Sequence, residues 1–359
     1  MNEMENTGQN SSSFSMTSNT LDHQQSHEKL ADGSIFLACL YSIISFIAVF
    51  GNLLVITAIF WDRTLRLYTS NYFLANLAVA DFFQGAVAIP LRVLEVLGAE
   101  YNPNVFCRVA IPTSILFGAS SNLAILVISI DRFLAVKYPY IYTRYATTNS
   151  IIAVIAFCWS VAAVLSLIAA SKLVWIIPDT LTRICRFPVY LKSDYIIAMY
   201  VIVHAIPIGT VVLLYGFILQ ASLVHSRQIH AQELAVVASV SMCSNSNVNE
   251  TDTTISTVTN GRKKQQRETA RQRKAAKTVS IIVGLFIILV VPIIAIDLAE
   301  MLGAPPAPLI LTKICVFMIF ANNCVNVVVY AGFNQDFRLA FKKILLKIAR
   351  SVFRMRTYR

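Results

Sequence analysis

The run Ile130-Asp131-Arg132-Phe133 sets a fixed positive charge beside a carboxylate at the end of a long apolar stretch. An arginine guanidinium stays ionised and offers a planar fork of donors, so Arg132 can hold Asp131 or swing to the backbone carbonyls of a docked partner. Placing such a pair at a membrane boundary is costly, which implies a specific task. Tyr215 and Tyr330 fall at comparable depth in two other apolar stretches. One arginine and two tyrosines at a shared level suggest a switch. Taken singly, each is also an ordinary boundary residue, because Tyr and Arg favour membrane interfaces.

A second group lies deeper. Asp81 closes the apolar run Leu77-Ala78-Val79-Ala80-Asp81, and an ionised acid facing lipid there would cost about 2.5–3.5 kcal/mol. It should therefore face a polar interior. Asn52, Ser121, Asn322 and Asn326 sit at mid-depth of their own stretches and supply the oxygens that a hard cation such as sodium prefers. A protonated Asp81 in a hydrogen-bonded network satisfies the same residues, and the sequence leaves both readings open. No set of nucleophile, base and oxyanion donor can be assembled, so the chain is not read as an enzyme. No cofactor or metal is expected beyond a sodium ion at Asp81.

The elements that position these groups are seven apolar stretches, roughly 35–60, 70–95, 106–137, 150–171, 193–224, 274–301 and 307–331. Each matches the ~20 residues a helix needs to cross a bilayer. Of the 359 residues, 56% are hydrophobic and 14% charged, too few charges for a soluble domain of this length. The expected fold is an all-α membrane protein, a seven-helix bundle over 35–331. A short amphipathic eighth helix should follow on the cytoplasmic side. In Asn334 to Leu345, Phe337, Phe341, Ile344 and Leu345 recur at helical spacing between basic residues, which suits the inner leaflet. Pro207 and Pro292 interrupt the fifth and sixth stretches and, with Phe286, mark hinges.

The net charge of +11 does not point to nucleic acid. Of the 30 Lys and Arg, 8 lie outside or near the outer ends of the stretches and the remaining 22 lie in segments that this topology puts inside. The positive-inside rule then places the N-terminus outside. Residues 1–34 are polar, without the apolar core of a signal peptide, and are expected to be disordered. Asn10-Ser11-Ser12 is a glycosylation sequon on that side; Asn249-Glu250-Thr251 matches too but falls in a cytoplasmic loop. That third inner loop spans roughly 225–273 and holds a Ser/Thr/Asn-rich centre and a basic run from Arg262 to Lys277. Among the seven cysteines, Cys107 and Cys185 are the pair facing an oxidising compartment, hence the one plausible bridge.

These residues together resemble the rhodopsin-like G-protein-coupled receptor family. Gly51-Asn52, Leu77 to Asp81, Cys107 to Arg132, Trp159, Pro207 with Tyr215, Phe286 with Pro292, and Asn326 to Tyr330 follow its order over about residues 35–347. The resemblance implies a Cys107–Cys185 disulfide, a sodium pocket around Asp81, and coupling to heterotrimeric G proteins through Arg132 and the inner loops. It implies a plasma-membrane receptor for a small-molecule or peptide ligand; the Ser/Thr-rich composition of the third inner loop permits phosphorylation by receptor kinases and arrestin control. Ala275 to Phe286, Asn71-Tyr72-Phe73 and Ala88-Ile89-Pro90 are most similar to adenosine receptors, and Phe187 matches the aromatic that stacks on their purine.

Several positions depart from that pattern. Asp297 stands where adenosine receptors carry a purine-binding Asn, and Phe320 where they carry a His. Val290 replaces the sixth-helix Trp, Val327 the Pro of the seventh-helix motif, and Phe133 the Tyr after Arg132. Gln272 replaces the acid that locks the Arg, an exchange that favours basal signalling, while Val327 and Val290 pull the other way by stiffening the seventh span and removing a bulky switch; the sequence leaves the balance open. Amine receptors place an Asp where this chain has Ser114, and opsins a Lys where it has Phe320. The ligand-pocket candidates are Ser114, Phe187, Met199, His204, Val290, Ile293, Asp297 and Phe320. Asp297, with Glu300, could pair with a ligand cation; otherwise it is a solvated outer-helix carboxylate. Rivals are a receptor for an amine or peptide, a ligand-independent receptor and, remotely, an ion channel or transporter.

Overall fold

Seven helices are long and apolar enough to cross a bilayer: Gly33–Trp61, Asn71–Val96, Asn104–Lys137, Thr148–Ala170, Ser193–Phe217, Ser280–Met301 and Leu309–Phe333. They come from a computed structural model that describes residues 8–98, 102–176, 185–217, 278 and 280–356. Among the described residues there is no strand, only an isolated bridge between Trp175 and Leu191 in the second outer loop. Helix is what lipid demands, because every backbone polar group must be paired within the segment. The long inner loop, with Cys243, Asn249, Gln272 and the basic run, lies outside the described residues.

Helix starts follow local chemistry. Asn102 accepts from the N–H of Asn104, with Pro103 at the first helical position. Thr147 accepts from the N–H of Ser150 at 3.3 Å and opens the fourth span. The first helix runs back to Gly8, through the polar segment expected to be disordered. No proline interrupts it, and extending an existing helix avoids the cost of nucleation. The Asn10 sequon falls where only this backbone is described.

Buried apolar side chains form three clusters. One fills the inner half, from Val55 through Ile125, Tyr215 and Val290 to Phe337. A second packs the outer ends of the third, fourth and fifth spans under the outer loop, from Cys107 to Tyr190. A third seals the first, second and seventh spans around Tyr41 and Ile89. Trp159 donates to Asn76 at 2.8 Å, fastening the fourth span to the second.

Two spans change pitch. The fifth turns as a π-helix at Val201–Ala205, just before Pro207, and the N–H of Ile206 reaches back to Val201. Such a turn absorbs the hydrogen bond that a proline cannot make. The second does the same at Gln84–Ala88, before Pro90, with the N–H of Ile89 bonded to Gln84. That shift frees the carbonyl of Gly85, which accepts instead from Ser45 Oγ at 2.7 Å. The sixth span continues as unbroken α-helix through Pro292.

The terminal helix, Gln335–Arg356, is longer than the sequence suggests. Phe337, Ala340, Phe341 and Ile344 face the bundle and are buried in its inner cluster. Leu345 points away from it, 54% exposed, together with Leu339, Leu346 and Ile348. One apolar face thus packs on protein and another is left for the leaflet, which corrects the expectation that Leu345 shares the face of Phe337.

Candidate functional site

The outer half of the bundle encloses a cavity of about 150 Å³. Ser114, Phe187, Met199, His204, Val290, Ile293, Asp297 and Phe320 all line it, so the structure brings the pocket candidates to one place. Ile111, Ile115, Val203 and Ile294 supply apolar wall between the polar groups.

The polar groups are more numerous than the sequence indicates. Asp297 is 4% exposed, which corrects its reading as a solvated carboxylate. Its Oδ1 lies 2.5 Å from Arg186 Nη2, and its Oδ2 accepts from Tyr200 Oη at 2.5 Å. Glu300 meets the other end of the same guanidinium, 3.1 Å from Nη1, and accepts from the N–H of Ala307 at 3.0 Å. Arg186 therefore occupies the place that a ligand cation was expected to take. Tyr200 packs edge-on to His204, ring centres 5.4 Å apart, and His204 Nε2 lies 3.1 Å from Asn122 Nδ2.

Arg186 is placed by what precedes it. Cys185 is bonded to Cys107 at the start of the third span, as expected. The N–H of Cys185 donates to Glu95 Oε1 at 2.8 Å, and Glu95 in turn pairs with Arg92 at 2.6 Å. Arg92 and Glu95 also line the cavity. Sequence reasoning missed Arg92, Glu95, Arg186 and Tyr200. The available signals were two opposite charges three residues apart on one helix, and an arginine adjoining the bridging cysteine.

At mid-depth, Asp81 is fully buried. Ser121 Oγ donates to its Oδ1 at 2.8 Å and Asn326 Nδ2 to its Oδ2 at 2.7 Å. Asn52 does not join them. It donates to the carbonyls of Ala48 at 2.8 Å and Asn323 at 3.0 Å, binding the first span to the seventh. Among the described residues Asn322 makes no hydrogen bond to Asp81; it lines the cavity above, as does Ser121.

At the inner face, Arg132 Nη2 lies 2.9 Å from Asp131 Oδ2. Tyr142, in the short helix Pro139–Tyr145 of the second inner loop, donates to Asp131 Oδ1 at 2.7 Å. Burial, together with the neighbouring carboxylate, holds the Tyr142 phenol above its ordinary pKa. The carboxylate is thus held from two sides, in an arrangement that keeps Arg132 turned toward it. Tyr215 and Tyr330 are buried, and among the described residues their hydroxyls have no hydrogen-bond partner. Tyr330 stacks on Phe337 of the terminal helix, centres 4.9 Å apart.

Comparison with known proteins supplies the remaining evidence. The family description "7 transmembrane receptor (rhodopsin family)" matches residues 51–330. A D(1B) dopamine receptor of Xenopus laevis is 26% identical over 89% of this chain and 72% of its own length. A D(1A) dopamine receptor of Didelphis virginiana is 26% identical over 87% of the chain and 73% of its own. An alpha-1D adrenergic receptor of Mus musculus is 29% identical over 83% and 55%. These relatives are named for dopamine and adrenergic ligands, and they do not show the narrower adenosine-receptor likeness expected from the sixth span.

Proposed function

Because this chain belongs to the rhodopsin family of seven-transmembrane receptors, we propose that it carries a signal from a small cationic ligand in the outer cavity to a heterotrimeric G protein at the inner face. Ligand and partner act by population shift: each binds better to an arrangement in which Arg132 leaves Asp131 and the inner face opens. The family is not enzymatic, and the site is a binding site.

The observation that carries the ligand class is buried Asp297 in the cavity wall, with Glu300 one turn beyond it. Two carboxylates share one guanidinium, leaving negative charge in excess. Ser114 carries none of the charge that a third-span acid would supply, so the sixth span takes over that duty. Phe187, in the cavity wall, is what favours the purine alternative. Against it, an ionised Asp297 lacks the N–H donors of the amide it replaces.

A sodium ion would be held by Asp81 and Ser121, whose oxygens lie together at mid-depth, and would supply a positive charge that favours one arrangement of the bundle. Plasma-membrane location with the N-terminus outside is supported by the inward bias of the basic residues. The exposed Leu345, Leu346 and Ile348 beside Lys342, Lys343 and Lys347 suit an acidic inner leaflet. Arrestin and receptor kinases are proposed on the Ser/Thr-rich loop composition.

The test is cyclic AMP and G-protein activation in cells expressing the full chain, challenged with dopamine, noradrenaline and adenosine. A response to an amine, abolished by Arg132→Ala and weakened about tenfold or more by Asp297→Asn, is expected, since a buried charged contact is worth ~2–5 kcal/mol. An amine response indifferent to Asp297→Asn removes Asp297 from the site. A response to adenosine alone moves the reading to purines.

A further inference from the structure

The cavity already holds a cation of the protein's own. We infer that Asp297, Glu300 and Tyr200 form a guanidinium site, filled by Arg186 until a small molecule bearing an alkylguanidinium group displaces it. This rests on the ligand reading above and narrows it.

The geometry is that of a fork in a clamp. Nη2 of Arg186 meets Asp297 at 2.5 Å, and Nη1 meets Glu300 at 3.1 Å. The two acids stand three residues apart on one helix, hence on one face. They address different nitrogens of a single planar group, whereas an ammonium gathers its donors on one nitrogen. Tyr200 holds the second Asp297 oxygen at 2.5 Å, and the Ala307 amide fixes Glu300 at 3.0 Å. Both carboxylates are thus oriented by groups other than the cation, so the site keeps its shape when the cation changes.

The same cavity contains polar groups with nothing to bind. His204 is 7% exposed and Gln84 6%, both line the cavity, and among the described residues His204 Nδ1 and Gln84 Oε1 have no hydrogen-bond partner. With Asn122 Nδ2 as donor to Nε2, the free Nδ1 carries the proton and offers a donor. Leaving buried groups of this kind unpaired is costly. His204 touches Tyr200, so the unpaired donor adjoins the clamp. The fitting ligand has a guanidinium at one end, an apolar segment along Val290 and Ile293, and a hydrogen-bonding group for His204.

Arg186 is a tethered competitor. Its neighbour Cys185 is fastened to the third span by the disulfide and to the second by Glu95, so the guanidinium is delivered at high effective concentration. An external ligand binds only in the fraction of time that Arg186 is away, and its apparent affinity falls by that fraction.

The experiment uses the purified full-length protein in nanodiscs, with melting temperature and G-protein nucleotide exchange as readouts. The probes are phenethylguanidine, phenethylamine and the neutral phenethylurea. In the wild type, phenethylguanidine should stabilise at lower concentration than phenethylamine, and the urea not at all. In Arg186→Ala its affinity should rise about tenfold or more, the competitor being gone, and millimolar ethylguanidinium should restore the lost melting temperature. Arg186→Lys, which keeps the charge but not the fork, should fall between. If Arg186→Ala does not fold, the wild-type ranking still decides. Equal or weaker effects of the guanidine, or unchanged affinity in Arg186→Ala, overturn the inference. Amine-driven nucleotide exchange in that case leaves the receptor reading standing. Guanidinium rescue with no exchange from any probe has the opposite meaning: the site stands and the signalling reading falls.

Discussion

At the scale of single residues, Tyr142 is the second group, beside Arg132, that holds the Asp131 carboxylate at the inner face. Its hydroxyl donates to Asp131 at 2.7 Å, and its raised pKa keeps it a neutral donor throughout the physiological range. Tyr142→Phe removes one hydrogen bond to a charged group, worth ~1.5–3 kcal/mol. Basal nucleotide exchange should rise several-fold, with surface expression unchanged; equal basal rates would show that Arg132 alone holds Asp131. Asp81→Asn should abolish any dependence of agonist affinity on sodium, measured against potassium at constant ionic strength. Asp131, Arg132 and Asp81 were legible in the sequence because a charge in an apolar stretch announces itself. Tyr142 and Arg186 were not, because each acts across a loop whose path no local pattern encodes. Asn52 was read into the Asp81 cluster on depth alone, and depth does not give direction around a helix axis.

At the scale of elements, the second span is set by a close approach. A Cβ on Gly85 would come within 2.6 Å of the Ala48 Cβ and 3.2 Å of the Val49 backbone nitrogen. Gly85→Ala must push the first and second spans apart and should cost ~1–3 kcal/mol, as overpacking does, read as a lower melting temperature in detergent. A Cβ on Gly51 would come within 2.8 Å of Val327 Cγ1, so the valine that stands in the seventh-helix proline position uses the space that Gly51 leaves. The terminal helix is anchored at its exposed rim by Lys343, 3.0 Å from Asp62. That contact holds the Asp62 carboxyl below its usual range. A depressed carboxylate contributes stability above its unfolded pKa and loses it as pH falls through the folded one, so the pair persists at neutral pH and opens only in acid. Being exposed, it is worth about 0–1 kcal/mol, and Lys343→Gln should loosen the helix without detaching it, since Phe337 and Phe341 remain buried. Spans and their order were legible from apolar length. The π-turns were not, although Pro90 and Pro207 mark where each occurs.

At the scale of the whole molecule, the disulfide joins the loop to the third span across a sequence separation of 78. Opening it with Cys185→Ala should lower surface expression and, by loosening the tether of the competing Arg186, strengthen phenethylguanidine binding in the protein that still folds; unchanged affinity would separate the loop from the site. Fold class and span order were present in composition and spacing, and eight pocket positions in the resemblance to known receptors, which is why those eight converge on one cavity. The identity of the occupant was not, since an internal ion pair is made by two segments more than a hundred residues apart. One consequence reaches beyond this chain. The π-turn at Gln84–Ala88 accommodates an extra residue relative to a regular helix. Counting outward from Asp81 toward a relative without that residue therefore slips the correspondence by one, a turn of ~100° about the axis. Arg92 and Glu95 would then be matched to the wrong neighbours, so homologous cavity positions in this helix should be paired by superposition and gapped alignment rather than by index.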